Sequence, residues 1–390
     1  MKPKYDWQQF LWKSLSYILV AAAASAVTFV LWGRGGSKLT ELEKIIDTMF
    51  IGEYDEAKIQ DAAADAMVNA LSDRWSYYLS AEEYAAHKES VSNAYVGIGI
   101  TVVLREDGAG HDIREVAPGS SAQESGVLPG DILIEVQKQS VAELTTAEVR
   151  ALIGNEAGKP VSIAVLRDGQ RQEFTLECRQ IQKKVVESQL LEDNIGYVRI
   201  ANFNANCGKD TIAVIEQLQQ QGATALLFDV RNNPGGYVNE MLQVLDHLLP
   251  EGVLFREVDY RGNETKRTSD EDCVELPMAV LVNADSYSAA EFFAACLREY
   301  QWATVVGEQT CGKGYYQNTL ALSDGSAVNL STGKYFTPNG VSLTETGGLT
   351  PDVPLSVDEQ TAALIYAQAI KPEEDPQLQA AIGLIRTDRE

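Results

Sequence analysis

The sequence predicts an α/β protein of several domains: an apolar N-terminal helix, a small helical region, a β-rich α+β domain and an α/β core. Three patterns support this prediction. Residues 14–32 are predominantly apolar and carry no charge, residues 93–180 show short strands separated by turns, and strand and helix patterns alternate from about residue 181. Such alternation indicates a layered sheet with helical crossovers. The expected boundaries are 1–36, 37–92, 93–180, 181–353 and, for a helical tail, 354–390.

Composition and charge exclude several function classes. The chain has 390 residues and a formal net charge of −24 at pH 7. It therefore repels phosphate backbones, and we expect no nucleic-acid partner. The three histidines lie far apart and match no metal-ligand spacing, so we expect neither a metal nor another cofactor. The five cysteines form no C-x-x-C pair; buried or incidental thiols are expected, and a disulfide is left open outside the cytoplasm.

The N-terminal apolar run, Ser14–Trp32, is long enough to cross a hydrocarbon layer of about 30 Å as a helix. Lysines at positions 2, 4 and 13 precede it, which favours a cytoplasmic N-terminus. We expect a single-pass membrane anchor, with the rest of the chain outside the cytoplasm. The alternative is a signal peptide that is cleaved near the small residues Ala24 and Ala26 and releases a secreted chain.

Local signals define the elements of residues 37–180. Apolar residues recur at helical spacing between Leu39 and Ser90. Ser80, with Glu83 three residues later, predicts the capping box of a helix. Beyond residue 93 the sequence predicts several elements: a strand at 132–136, short helices after Ser120 and after Thr145 or Thr146, and a hairpin around Asp168-Gly169.

The segment 93–180 resembles a bacterial PDZ domain. Gly97-Ile98-Gly99-Ile100 stands where such domains carry their carboxylate-binding loop, and "SSAQESGVLPGDILIEV" at 120–136 agrees with the resemblance. Glycines let consecutive backbone N–H groups converge on an anion, and an adjacent strand edge can accept an extended peptide. The resemblance implies that this domain binds protein or peptide substrates through their free C-termini.

The core pattern begins after residue 180. Strands are predicted at Ile195–Ile200, Ala225–Val230, Met278–Val282 and Ala303–Val306, helices at Gly208–Gln221, Val238–Leu249 and Ala289–Tyr300, and antiparallel strands at Gly314–Leu322 and Ala327–Phe336. Two of the connections carry reactive side chains. Ser288 lies at a strand-to-helix junction, where the next backbone N–H points out of a helix N-terminus. Lys313 lies in a glycine-rich turn after a strand.

These two side chains suggest nucleophilic catalysis. A serine hydroxyl is a poor nucleophile until a base removes its proton. No histidine lies near Ser288 in sequence. A lysine can act as the base when burial keeps it neutral, because desolvation disfavours the ammonium. We therefore predict Ser288 as the nucleophile and Lys313 as its general base.

The same segments resemble the carboxyl-terminal processing proteases, also called tail-specific proteases. Residues 282–291, VNADSYSAAE, match the family's V-N-x-x-S-A-S-A-S-E, whose middle serine is the nucleophile. Residues 312–317, GKGYYQ, match G-K-G-x-x-Q, which implies that Gln317 orients the lysine by a hydrogen bond. The resemblance spans about residues 39–353. It implies a core of the crotonase-like, tail-specific protease type and a serine endopeptidase that cuts proteins near their C-termini.

A third segment supports the resemblance. Residues 225–241 contain DVRNNPGG, which resembles the family's D-L-R-x-N-P-G-G. It implies that Gly235 or Gly236 donates a backbone N–H to the tetrahedral oxyanion, with the N–H of Ala289 as the second donor. The sequence leaves open which glycine donates.

The chain also departs from the family pattern. Arg74-Trp75 replaces Pro-Tyr in the family's L-x-D-P-Y-S-x-Y-L, and Tyr287 replaces a small residue beside the nucleophile. In relatives an arginine near the end of the PDZ helix links peptide binding to the active site, and Gly154 occupies that position here. We expect weak peptide-dependent activation, with Arg150, one helical turn earlier, as the alternative relay.

Alternative functions fit the residues less well. Residues 307–314 approach a phosphate-binding loop, but Gly314 stands where that loop needs serine or threonine for magnesium, and a strand pattern follows instead of a helix. A catalytically weak PDZ scaffold on a protease-like core would be expected to lack Ser288, Lys313 or Gln317, and all three are present. A homodimer is left open.

Overall fold

The computed structural model describes residues 37–387. A boundary between residues 63 and 64 divides the chain into two compact units. The first unit contains helix α1, Lys38–Met49, which Ser37 caps by accepting a hydrogen bond from the N–H of Thr40 at 3.3 Å. Helix α2, Glu56–Asn69, extends across the boundary. Both helices fall in the region predicted to be helical.

Within residues 37–387, no helix is long and apolar enough to cross a membrane. The predicted anchor at residues 14–32 lies outside the described residues. The predicted linker up to residue 36 and the last three residues of the chain lie outside them as well.

Helix α2 is followed by a strand that the sequence did not reveal. Strand β1, Tyr77–Leu79, pairs antiparallel with Ala327–Phe336, far along the chain. Helix α3, Ala81–Val91, follows it. The Oγ of Ser80 accepts from the N–H of Glu83 at 3.3 Å, and Glu83 Oε2 accepts from the N–H of Ser80 at 2.9 Å, so the predicted capping box is confirmed.

A β-rich region follows between residues 94 and 182. Its elements are β2 Ala94–Gly97, β3 Ile100–Leu104, β4 His111–Val116, α4 Ser121–Glu124, β5 Ile132–Val136, β6 Gln139–Ser140, α5 Thr146–Ile153, β7 Pro160–Arg167, β8 Gln170–Glu177 and β9 Arg179–Gln182. One sheet has the order β3-β4-β5-β7-β8, which leaves β3 at an edge, and a two-stranded sheet joins β2 to β9. Strands β7 and β8 form the hairpin predicted around Asp168-Gly169.

The α/β core contains the remaining elements. They are β10 Val186–Leu190, β11 Ile195–Ile200, α6 Cys207–Gln220, β12 Ala225–Asp229, α7 Val238–Leu248, β13 Gly252–Asp259, β14 Glu264–Ser269, β15 Met278–Val282, α8 Ala289–Glu299, β16 Ala303–Gly307, β17 Tyr315–Ala321, β18 Ala327–Phe336, β19 Val353–Pro354, α9 Glu359–Tyr366 and α10 Pro376–Thr387. The main sheet has the order β10-β11-β12-β15-β16-β19 and is parallel except for β10.

Apolar layers cover both faces of the main sheet, because successive strand residues point to opposite sides. Phe228 and Val280 pack into one cluster with Phe293 of α8, whereas Leu227 packs into another with Ile382 of α10. The strands are therefore buried on both faces, as expected for a parallel sheet. Their carboxyl ends meet at one edge, where ligand sites of open α/β sheets form.

A second sheet has the strand order β1-β18-β13-β14, with β17 also paired to β18. The hairpin of β17 and β18 confirms the predicted antiparallel pair. Strands β13 and β14 were not predicted. Strand β14 reads ETKRTS and has one buried residue, so it lacks the apolar alternation from which a strand is recognised. Its pairing with β13 is decided by tertiary context.

Candidate active site

Ser288 lies on a strained turn between β15 and α8. Its φ and ψ are 58° and −125°, a combination that a residue with a side chain rarely adopts and that costs of order 1–3 kcal/mol. The residue is buried, with 8% of its surface exposed. A Cβ on the neighbouring Gly235 would lie 2.8 Å from the Cβ of Ser288, so position 235 must be glycine for the two segments to approach so closely.

Glu291, in the first turn of α8, connects this serine to the lysine-bearing turn. The residue is fully buried. Its Oε1 accepts hydrogen bonds at 2.6 Å from both the Thr310 hydroxyl and the N–H of Gly312. Its Oε2 accepts from the N–H of Ser288 at 2.8 Å and from the N–H of Lys313 at 2.9 Å. Because one oxygen bonds both, the backbone nitrogens of Ser288 and Lys313 lie within about 6 Å of each other.

The side chain of Lys313 is largely shielded from water. Its Nζ lies 4.6 Å from the centroid of the Trp75 ring. Burial lowers the pKa of this ammonium below its ordinary value of 10.5, and the nearby Arg74 guanidinium adds to the depression. Cys311, Glu291 and Asp73 act in the opposite direction without cancelling it. The neutral amine, which is the form that can accept a proton, is thereby favoured.

Gln317 lies on β17, beyond the lysine turn. Its Nε2 donates to the carbonyl of Tyr315 at 3.0 Å and to the hydroxyl of Ser331 at 3.2 Å. The structure shows no hydrogen bond between Gln317 and Lys313, both of which lie in the described part of the chain. It therefore places Gln317 near the site without the orienting bond that the resemblance implied.

The loop after β12 brings backbone donors to the serine. The N–H of Gly235 donates to the side chain of Asn233 at 2.8 Å. The carbonyl of Asn233 in turn accepts from the N–H of Tyr287 at 3.1 Å. Within residues 37–387, the N–H groups of Gly236 and Ala289 have no acceptor. Ala289 directly follows Ser288, and Gly236 directly follows Gly235, which packs against Ser288, so both N–H groups remain available to an acceptor in this part of the chain.

Polar contacts fix this loop from both sides. Asn232 and Asn283 exchange two hydrogen bonds of 2.9 and 2.8 Å, which tie the loop to the turn that carries Ser288. On the other side, the buried Arg231 guanidinium lies 2.6 Å from Asp229 and 2.7 Å from Asp375. The second contact links the loop to the beginning of α10. A C-terminal helix thus supports a loop of the site.

The predicted peptide-binding loop turns sharply at Gly99. Gly99 has a φ of 87°, and a Cβ there would collide with Ser120. The carbonyls of Ile98 and Gly99 accept from backbone N–H groups at 3.1 and 2.9 Å, which turns the oxygens into the domain. A groove lined in part by Ile100, Val149 and other residues of β3 and α5 adjoins the loop. Edge strand β3 is open to an added strand.

The structure also shows the two residues considered for linking peptide binding to the active site, Gly154 and Arg150. Gly154 caps the C-terminus of α5 with a φ of 81°, a conformation that an arginine would adopt only under strain. Arg150 forms an ion pair with Glu89 at 3.0 Å, on helix α3. Both side chains are exposed, so this pair adds little stability.

Three residues with clear structural roles in the site were missed as functional residues: Trp75, Asn233 and Glu291. All three stand inside the quoted motifs. Glu291 is the single acidic residue in the first nine positions of an apolar helix, AAEFFAACL. A lone charge in that setting signals a buried, satisfied carboxylate, and this signal was available. For Trp75 and Asn233 no local signal existed, because their contacts join distant segments.

Within residues 37–387, no group of three or more histidine, cysteine or acidic side chains is arranged to hold a metal. All five cysteines lie in that part of the chain and none forms a disulfide.

Fold and site together define a serine peptidase with a PDZ domain, and known proteins agree. The model described as "Peptidase family S41" matches residues 194–355, and a PDZ domain model matches residues 96–178. The chain is 30% identical over 373 residues to "Carboxy-terminal processing protease CtpA" of Bacillus subtilis, covering 91% of this chain and 79% of that protein. It is 31% identical over 330 residues to the "Carboxyl-terminal-processing protease" of Synechocystis, covering 83% and 76%.

A solved structure shows the same fold. The S41 protease of Bacteroides fragilis superimposes with a TM-score of 0.52 at 15% identity, covering 84% of this chain and 90% of that one. The chain belongs to the carboxyl-terminal processing protease family of serine peptidases. The family resemblance found in the motifs is thus confirmed.

The lowered pKa of Lys313 predicts how activity changes with pH. If its neutral amine is the base, the rate of Ser288 acylation by a serine-reactive probe should rise with pH. The midpoint of that rise should lie below 10.5, because burial depresses the pKa of the ammonium. Lys313→Arg, which stays charged, should be inactive throughout the range. Lys209→Arg, an exposed position on α6, should keep the wild-type profile. A midpoint at or above 10.5 contradicts this assignment.

Proposed function

We propose that this chain hydrolyses peptide bonds near the C-termini of proteins, with Ser288 as nucleophile and Lys313 as general base. The observation that carries the proposal is the shared acceptor Glu291 Oε2, which holds the backbone of both residues. Lys313 Nζ takes the proton of Ser288 Oγ, which attacks the scissile carbonyl carbon. The protonated lysine then gives that proton to the leaving amine, and water hydrolyses the acyl-enzyme by the reverse proton transfers.

The oxyanion is bound by the N–H groups of Gly236 and Ala289. Gly236 is preferred to Gly235 because the N–H of Gly235 is already engaged by Asn233. One such donor is worth about 2.7–4 kcal/mol of transition-state stabilisation in other proteases. Gln317 orients Lys313 when substrate is bound by accepting a hydrogen bond at Oε1, since its bonds to Tyr315 and Ser331 are both donated by Nε2.

Substrates are selected through the PDZ domain, residues 93–180, and cut in the protease core, residues 181–353. The loop Gly97–Ile100 binds a free terminal carboxylate through backbone N–H groups, and the polypeptide adds to the edge of β3. Amidation of a model peptide's C-terminus should therefore weaken its binding to the protein. Equal affinity of acid and amide forms would argue against this mode.

Residues 14–32 anchor the chain in the membrane, and the catalytic region lies outside the cytoplasm. This part of the proposal rests on the uncharged run and the preceding lysines. A protease added to intact cells should release the ectodomain but spare residues 1–13. Recovery of a soluble mature chain that begins near residue 27 would favour a cleaved signal peptide.

Variants of the three predicted residues test the catalytic proposal. Ser288→Ala and Lys313→Ala should each reduce cleavage of an unfolded protein by about 10³-fold or more, since nucleophile and base act as a unit. Gln317→Ala should reduce it less. Ser331→Ala, which removes an acceptor of the Gln317 amide, should remain active. Circular dichroism confirms that each variant is folded. Full activity in Ser288→Ala or Lys313→Ala would overturn the assignment, and a wild-type protein that binds peptides without cutting them would support the scaffold alternative.

A further inference from the structure

Arg74 lies at the rim of the site, on the segment that departs from the family pattern. Its guanidinium carbon is 4.2 Å from the centroid of the Trp75 ring, the ring that also lies beside Lys313 Nζ. Its Nη2 donates to the sulfur of Cys311 at 3.4 Å. These two contacts hold an exposed cation in a fixed position next to the lysine turn.

This guanidinium lacks a carboxylate partner. Within residues 37–387 most arginines form ion pairs, for example Arg171 with Glu135 and Arg298 with Asp352. Arg74 has no carboxylate oxygen within 4.0 Å among those residues. This lack of a carboxylate partner is unusual in a chain with a net charge of −24. Most of the five hydrogen-bond donors of Arg74 are therefore available to a bound ligand.

The nearest carboxylates are already committed to other donors. Asp73 accepts from the Ser76 hydroxyl at 2.6 Å and from the N–H of Trp75 at 3.2 Å. Glu291 accepts four hydrogen bonds and is fully buried. Neither can turn to Arg74 without breaking contacts that shape the site.

We propose that Arg74 is a specificity-determining residue that binds a carboxylate of the polypeptide close to the scissile bond. The proposal rests on the proposed function and names a preference of that same site. The carboxylate is either an acidic side chain or the terminal carboxylate of a short tail. An arginine suits this role because its planar fork matches a carboxylate in a bidentate pair. The family pattern has proline at this position, and a proline side chain offers no hydrogen-bond donor.

Cleavage kinetics of matched peptides test the inference. One series carries Glu, Gln or Lys at each of the positions flanking the scissile bond, and a second carries a free or amidated C-terminus. The wild-type protein should favour a carboxylate over its neutral counterpart by about tenfold in kcat/KM at one position, as expected for a charge-assisted bond. Preference within the first series identifies a side chain, and preference within the second identifies the chain terminus.

Variants separate recognition from a merely structural role. Arg74→Gln should remove the preference, Arg74→Lys should retain part of it, and Arg74→Glu should reverse it in favour of lysine peptides. Arg261→Gln is the matched control, because Arg261 also stacks on an aromatic ring, that of Tyr260, but no role in the site is assigned to it. This control should keep the wild-type preference.

The outcomes distinguish this inference from the proposed function. Cleavage by the wild-type protein without any carboxylate preference, or a preference that survives in Arg74→Gln, overturns the inference and leaves the proposed function standing. An equal loss for all peptides in Arg74→Gln also overturns it, since that result shows a structural role. Absence of cleavage in the wild-type protein overturns the proposed function, and the inference with it.

Discussion

The buried carboxylate of Glu291 is the interaction on which the geometry of the site depends. Four donors from two segments converge on its oxygens, so its acceptor sites are filled as burial requires. An unpaired buried acid would be costly, and the loss of one of its donors would cost about 1–3 kcal/mol. The turn of Ser288 and the turn of Lys313 are therefore held together by the need to satisfy this one group.

The rest of the fold supplies what a single carboxylate cannot. The parallel sheet brings the ends of β12 and β15 to one edge, and two hydrogen bonds between Asn232 and Asn283 join the loops that follow them. The strained backbone of Ser288 persists because its neighbours on both sides are fixed. The ring of Trp75, two residues before β1, lies against Lys313 Nζ, and burial of this ammonium lowers its pKa.

The sequence predicted the elements that carry their own signal. Strands Ile195–Ile200 and Met278–Val282 were found with their bounds, because buried parallel strands read as continuous apolar runs. The capping box of Ser80 was found because it is local. By contrast, β14 and the contact of Trp75 with Lys313 depend on pairing between distant segments. The motif located Ser288 and Lys313 in the chain, but not the carboxylate that joins them.

The central claim is that Glu291 acts by holding Lys313 beside Ser288, and a double-mutant cycle tests it most directly. The rate at which a serine-reactive probe labels Ser288 would be measured in the wild-type protein, Glu291→Gln, Lys313→Ala and the double variant, each shown to be folded by circular dichroism. If both residues serve one interaction, their effects are not additive, and the double variant should label about as slowly as Lys313→Ala alone. A wild-type rate in Glu291→Gln, or losses that multiply in the double variant, would contradict the account.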